Sequence, residues 1–149
     1  MKIYLGADHG GYFLKEKISR WLLSWGYSFS DMGAESLDLT DDYPLYAERV
    51  ASMVAKDKKA LGILLCRSGV GVDIVANKFD GVRSGVGLSA EQVKSAKEDD
   101  DINILVIASD YTAEAEAREM AKTFLETKYK KIQRHERRLE DIKKIEANN

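Results

Sequence analysis

Short apolar runs alternate with longer amphipathic segments along the chain, and this alternation predicts strands separated by helices. Residues 2–7 (KIYLGA) and 60–66 (ALGILLC) are predicted strands, and the second is almost entirely apolar, as in a central parallel strand buried on both faces. Three further strands are predicted at residues 27–32, 82–88 and 102–108. The predicted helices cover residues 11–25, Pro44 to about Lys56, a short segment ending near Asn77, and residues 89–98, 112–127 and 134–147.

This order of elements predicts an α/β fold with a parallel sheet and helices on both faces. Ligands of such folds lie beyond the carboxyl ends of the strands. The residues next to the strands are therefore the first candidates for chemistry. The chain of 149 residues fits a single domain, residues 1–149. Its last helix, at about 134–147, is polar enough that we expect it to pack on a partner subunit or to extend into solvent.

Charge and composition exclude several classes of protein. With 23 basic and 25 acidic residues the chain has no general attraction to nucleic acid or to anionic membranes. No apolar run reaches the ~18 residues of a membrane span, and the N-terminal segment does not resemble a signal peptide. We therefore expect a cytoplasmic protein. The single cysteine excludes an intrachain disulfide and a cysteine-based zinc site within one chain.

Cys66 ends the most apolar strand and directly precedes the loop RSGVG, residues 67–71. Backbone N–H groups can converge in such a loop, and the next helix adds its positive end, so the loop can hold a phosphate or a developing oxyanion. The positive charge of Arg67 would activate a neighbouring thiol. The residues alone are equally compatible with a buried structural cysteine beside a tight turn.

Two further groups are candidates for binding an anion. His9 follows the first strand together with Asp8 and precedes two glycines, so it can face an anion at a helix N-terminus. The alternative is an Asp N-cap beside an exposed histidine. Arg134 and Arg138 are four residues apart and share a helix face, which suits bidentate phosphate binding. The alternative is a solvated basic face.

The acidic run at residues 98–101 (EDDD) is the one segment that suggests a divalent metal. Consecutive carboxylates point in different directions and make a poor coordination cage. We therefore expect no metal site and no cofactor.

Taken together, these residues resemble the ribose 5-phosphate isomerase B family, which also includes the galactose 6-phosphate isomerase subunits. The matching segments span almost the whole chain in the same order and with nearly unchanged spacing. They are GADHGG at the N-terminus, DDYPLYA around Tyr43, ILLCRSGVGVDIVANK around Cys66, GVR ending at Arg83, NIL at residues 103–105 and RHERRLEDI near the C-terminus. The resemblance implies a five-stranded, Rossmann-like, three-layer αβα sandwich and a homodimer or homotetramer whose active sites are shared between subunits.

The resemblance also implies an activity in the pentose phosphate pathway, the interconversion of ribose 5-phosphate and ribulose 5-phosphate through an enediol. Cys66 occupies the position of the catalytic base. The implied enediolate-stabilising and binding loop consists of Ser68 and the backbone of Arg67, Gly69, Val70 and Gly71. The positions that match phosphate-binding residues are His9, Arg134 and Arg138, and those that match sugar-binding residues are Asp8 and Tyr43.

The sequence departs from the family pattern at several positions. In one branch of the family a glutamate after the glycine loop is the base, and here that residue is Val72. Arg67 replaces a glycine, and Asp110 replaces an arginine near the phosphate. Asp99 and Asp100 replace a His-Asn pair whose histidine is thought to open the sugar ring. Asp99 could serve as that acid only if burial or its neighbour kept it protonated.

These departures leave the substrate open. The same chemistry on a linear tetrose phosphate or a hexose 6-phosphate is one alternative, because a linear substrate needs no ring-opening histidine. A non-catalytic sugar-phosphate-binding subunit is another, although such a subunit would not need to retain Cys66.

Overall fold

The computed structural model describes all 149 residues and contains five strands and six helices. The strands are β1 (Lys2–Ala7), β2 (Ser30–Asp31), β3 (Ala60–Cys66), β4 (Ser84–Val86) and β5 (Ile104–Ala108). The helices are α1 (Tyr12–Ser24), α2 (Tyr43–Lys56), α3 (Val70–Ala76), α4 (Ala90–Asp100), α5 (Glu114–Glu126) and α6 (Gln133–Ala147).

The strands form one parallel sheet in the order β2-β1-β3-β5-β4. The predicted α/β fold with a five-stranded parallel sheet is confirmed. The three inner strands are apolar because both of their faces are covered, and all residues of β3 and β5 are buried.

Helices cover both faces of the sheet and give the three layers. On one face α1, α4 and α5 enclose a core that contains Leu5, Leu22, Ile63, Leu105 and Phe124. On the other face α2 and α3 pack over a second core, to which Cys66 belongs. The last helix, α6, contacts α4. No helix combines the length and the apolar character that crossing a membrane requires.

The two edge strands are shorter than the sequence pattern predicts. Residues 27–32 give only Ser30–Asp31, and residues 82–88 give only Ser84–Val86. Each edge strand has a single partner, so only part of each apolar run is held in the ladder. Two helix ends have residue types typical of caps. Ser89 caps α4 by accepting a hydrogen bond from Gln92 N at 3.1 Å, and Gly26 follows α1 with φ +83°.

Candidate active site

The carboxyl ends of three neighbouring strands meet at one edge of the sheet, which we call the carboxyl edge. Asp8 and His9 follow β1, Cys66 ends β3, and Asp110 lies just beyond β5. The register aligns them, because Ala7 pairs with Leu65 and Cys66 pairs with Ala108. The strand order β1-β3-β5 therefore assembles most of the residues that the sequence pointed to.

Cys66 is buried, with 4% of its surface exposed, and its sulfur is held by the loop that follows. The backbone N–H of Gly69 donates a hydrogen bond to Cys66 Sγ at 3.1 Å. Gly69 has φ +77°, a conformation that a residue with a side chain rarely adopts. The tight turn at Gly69 thus points a backbone donor at the sulfur of Cys66.

Tyr43 lies against the same loop. A Cβ atom added to Gly71 would stand 2.6 Å from Cζ of the Tyr43 ring, so only a glycine lets the ring approach this closely. Tyr43 is the first residue of α2 and is 38% exposed. The start of α2 therefore presents a tyrosine at the loop.

Asp8 shapes the turn between β1 and α1. Its Oδ1 accepts a hydrogen bond from Gly11 N at 3.2 Å, and its carbonyl accepts one from the same N–H at 3.1 Å. Gly11, not Asp8, is the N-cap residue of α1, so the alternative interpretation of Asp8 as an N-cap is wrong. Burial raises the pKa of Asp8 above its ordinary value, partly opposed by the hydrogen bond from Gly11.

His9 is paired with Asp41, which begins the matching segment DDYPLYA but is not among the predicted site residues. Asp41 Oδ1 lies 2.7 Å from His9 Nδ1 and accepts a hydrogen bond from the His9 backbone N–H at 2.9 Å. The hydrogen bond to Asp41 raises the pKa of His9 above its ordinary value, against a smaller opposing effect of partial burial. No local pattern reveals this contact, because 32 residues separate the partners.

Asp8, His9 and Asp41 are also the one group whose donor atoms could surround a metal ion, since these atoms all lie within 4.8 Å of one another. His9 Nδ1, however, is already at hydrogen-bonding distance from Asp41. The arrangement is that of a hydrogen-bonded histidine–aspartate pair.

Arg67 and Asp110, two departures from the family pattern, lie opposite each other at the carboxyl edge. Arg67 Nη1 lies 3.5 Å from Asp110 Oδ2, and Asp110 N donates to the Arg67 carbonyl at 3.0 Å. The stem of Arg67 lies across Gly10, where an added Cβ would be 2.5 Å from Arg67 Cγ. The guanidinium is therefore placed between the β1 turn and Asp110, beside the Cys66 loop.

Position 72 offers no alternative base. Val72 is fully buried in the core beneath α3. The next residue, Asp73, accepts a hydrogen bond from Ser84 Oγ at 2.7 Å, and burial raises the pKa of this carboxyl group. Its carboxylate is thus engaged with β4, and Cys66 is the thiol that faces the loop.

The remaining predicted residues lie elsewhere in the chain. Helix α4 runs from the carboxyl end of β4 to the amino end of β5, so Asp99 and Asp100 at its end lie at the opposite edge of the sheet, which we call the amino edge. There Asp99 Oδ1 is 3.5 Å from Nε2 of His135. The Nδ1 of His135 is 2.9 Å from the carbonyl oxygen of Lys130.

Arg134 and Arg138 accompany His135 on the first turns of α6 and are both exposed. Arg134 Nε lies 3.4 Å from His135 Nε2, while Arg138 makes no hydrogen bond or ion pair within the chain. A single chain therefore separates the predicted residues into two clusters. The Cys66 cluster lies at the carboxyl edge, and the basic cluster of Arg134 and Arg138 lies at the amino edge.

Comparison with known proteins agrees with this arrangement. The model of the family described as Ribose/Galactose Isomerase matches residues 3–142. The chain belongs to this family. As a member of the ribose/galactose isomerase family it is a sugar-phosphate isomerase, and the resemblance read from the sequence is confirmed.

Similar members of the ribose/galactose isomerase family cover nearly the full chain. Ribose-5-phosphate isomerase B of Mycobacterium tuberculosis is 36% identical over 146 residues, 98% of this chain and 90% of the relative. The Escherichia coli enzyme of the same name is 37% identical over 145 residues, 97% of this chain and 96% of the relative. The structure of the Mycoplasma genitalium enzyme with bound ribulose-5-phosphate matches with a TM-score of 0.95 at 34% identity, covering 99% of this chain and 97% of that one.

Proposed function

We propose that this protein interconverts ribose 5-phosphate and ribulose 5-phosphate and that the Cys66 thiolate is the base. The observation that carries the proposal is the hydrogen bond from Gly69 N–H to Cys66 Sγ at 3.1 Å, at the carboxyl end of a central strand. An inert core cysteine needs no such donor, whereas a thiolate is stabilised by one. We infer the substrate from the similar proteins, which are named ribose-5-phosphate isomerase B.

The reaction requires a proton to move between two neighbouring carbons. The thiolate removes the proton from C2 of the open-chain aldose, and the electron pair shifts to the C1 carbonyl oxygen to give an enediolate. The thiol then returns the proton to C1, and the proton of the C2 hydroxyl moves to the C1 oxyanion, so that C2 becomes the ketone carbonyl and the C1 oxygen a hydroxyl. A carbon acid next to a carbonyl is weakly acidic, so the developing oxyanion needs positioned donors. Ser68 and the backbone of residues 70–71 are the groups we assign to this role, since the N–H of Gly69 already donates to Cys66 Sγ.

The phosphate is the remote anchor that fixes the reacting carbons near the thiol. We assign it to His9 and to the arginines of the amino edge, Arg134 and Arg138. Arg67 adds a positive charge beside the loop, with Nη1 of its exposed side chain 3.5 Å from Asp110 Oδ2. Asp8 and Tyr43 are the groups we assign to the sugar hydroxyls.

The separation of the two groups within one chain supports a shared site. Cys66 lies at the carboxyl edge, while Asp99, Arg134 and Arg138 lie at the amino edge. We infer that two copies of the chain pair in a homodimer or a larger even assembly. The basic cluster of one copy then completes the site around the Cys66 cluster of the other. The exposed Arg138, which has no partner within its own chain, fits this role.

A second candidate substrate is a linear four-carbon sugar phosphate. Position 99 holds an aspartate, and its carboxylate lies beside the His135 ring. A carboxylate paired with a histidine is a weak proton donor for opening a furanose ring. A substrate without a ring avoids that requirement.

An isomerase assay on four-, five- and six-carbon aldose phosphates, with Cys66→Ala and Cys66→Ser, tests the proposal. We expect the highest kcat/KM for ribose 5-phosphate, and we expect both variants to lose about 10³-fold in kcat. Preference for the tetrose phosphate would favour the second candidate. Activity that survives in Cys66→Ala, with unchanged thermal unfolding, would show that Cys66 is not the base.

A further inference from the structure

The loop before α2 places one buried carboxylate against the histidine of the carboxyl edge. We propose that Asp41 is a positioning residue that fixes the ring of His9 and keeps it cationic, so that Nε2–H of His9 is presented to the phosphate of the substrate. The proposal rests on the proposed function, because it takes the ligand of His9 to be a sugar phosphate.

The first argument is geometric. One oxygen of Asp41 accepts from the His9 backbone at 2.9 Å and contacts the His9 ring nitrogen Nδ1 at 2.7 Å. Two contacts to the same residue fix both the backbone and the orientation of the ring. They also assign the proton of Nδ1, because a carboxylate oxygen can only accept. Nε2 is then the ring atom left for a ligand, as in histidines whose second nitrogen is oriented by a carboxylate.

The second argument is the burial of Asp41. Only 5% of its side chain is exposed, and Oδ2 is buried without any hydrogen-bond partner. A carboxylate in such a place is costly unless a positive charge compensates it. His9 is the only residue that forms an ion pair with Asp41. An imidazolium supplies the missing charge, whereas a neutral imidazole does not.

The charged groups around the pair are consistent with a cationic His9. The hydrogen bond to Asp41 is the largest cause of the raised pKa of His9, and Asp8 acts in the same direction while Arg67 opposes it. The phenol of Tyr46 also faces this carboxylate: burial and then Asp41 raise the pKa of Tyr46. On balance two carboxylates and one guanidinium act on His9, so His9 keeps its proton to a higher pH than a free histidine.

The chain contains only two histidines, which makes the titration of His9 directly observable. We would label the imidazoles with ¹⁵N and ¹³C and follow both by NMR against pH, with His9→Gln to assign the signals. In Asp41→Asn we expect the pKa of His9 to fall toward about 6.5. The signals of His135 are assigned by elimination and are recorded in the same spectra.

Kinetics on the same variants separate positioning from general damage. We expect Asp41→Asn to raise KM for ribose 5-phosphate by about tenfold or more, because a charge-assisted hydrogen bond to the phosphate weakens, while kcat changes less. The control is Glu35→Gln, which removes the same charge from the same loop where the side chain makes no hydrogen bond or ion pair. Asp41→Glu keeps the charge but misplaces it, so His9 should titrate near the wild-type pH while KM is still raised.

Each result decides the proposal. An unchanged His9 titration in Asp41→Asn, or an unchanged KM alongside a shifted titration, would overturn it. A rise in KM that Glu35→Gln shares equally would also overturn it, since the effect would then be one of net charge. Should the wild-type protein isomerise no sugar phosphate, the proposed function fails; the pair is then judged by inorganic phosphate, which should shift the His9 signals less in Asp41→Asn than in the wild type.

Discussion

At Gly71 the missing side chain leaves the space that the Tyr43 ring occupies. In Gly71→Ala the new Cβ would stand 2.6 Å from the ring. Tyr43 is partly exposed, so it can swing outward, and the protein should still fold. We expect kcat/KM to fall at least about tenfold if Tyr43 contacts the sugar as we propose, because displacing such a group by an ångström is enough to disturb the reacting geometry.

Gly85→Ala is the matched control for this change. Its added Cβ would meet no atom closer than 3.9 Å, so activity should stay at the wild-type level. Steady-state kinetics with ribose 5-phosphate measure both variants. Equal activity of Gly71→Ala and the wild type would contradict a role for Tyr43 at the loop.

Individual residues show which parts of the candidate site could be predicted from the sequence and which could not. Cys66 and the loop after it could be found because a buried strand, a thiol and two glycines are consecutive in the chain. Asp41 could not, because its importance comes from a contact with His9 across 32 residues and from burial in a loop that looks only polar. Asp99 could be named as a departure, but only the direction of α4 shows that it lies at the edge opposite Cys66.

Among the elements, α4 depends on its cap. Ser89 Oγ accepts the hydrogen bond from Gln92 N, while Gln92 Oε1 accepts one from Leu88 N just before the helix. We expect Ser89→Ala to lower the free energy of unfolding by about 1 kcal/mol and Ser89→Gly by only a few tenths of that. Urea denaturation measures both changes.

Ser95 is the control within the same helix, since it is exposed and its side chain makes no hydrogen bond. Ser95→Ala should leave stability equal or raise it by up to about 0.5 kcal/mol, because alanine is the better helix former. A loss of stability in Ser95→Ala as large as in Ser89→Ala would show that the cap is not the cause.

The pattern of apolar residues predicted all five strands and all six helices, and the reason is the periodicity of buried faces. The largest errors are in the two edge strands. At β2 and β4 the apolar runs extend past the residues that can pair, since an edge strand finds a neighbour on one side only. The lengths of such strands are set by tertiary contacts, which a local pattern does not contain.

For the whole molecule, the division of the predicted residues between two edges leads to a test of shared sites. Cys66→Ala removes the thiol from the carboxyl edge. Arg134→Ala combined with Arg138→Ala removes the basic cluster from the amino edge. Each variant alone should be inactive or nearly so. Co-expressed in equal amounts, the two chains would form mixed pairs. In each mixed pair one of the two sites would contain an intact Cys66 together with intact Arg134 and Arg138.

Random pairing then predicts about a quarter of the wild-type activity in the co-expressed sample, because half of the pairs are mixed and each mixed pair has one complete site. If instead every site were built within one chain, no molecule in the mixture would have a complete site, and activity would not recover. Size-exclusion chromatography with light scattering confirms that paired chains are present in each sample. The recovered activity should follow the fraction of mixed pairs as the ratio of the two chains is varied, and a flat response to that ratio would rule out sites completed by a second copy.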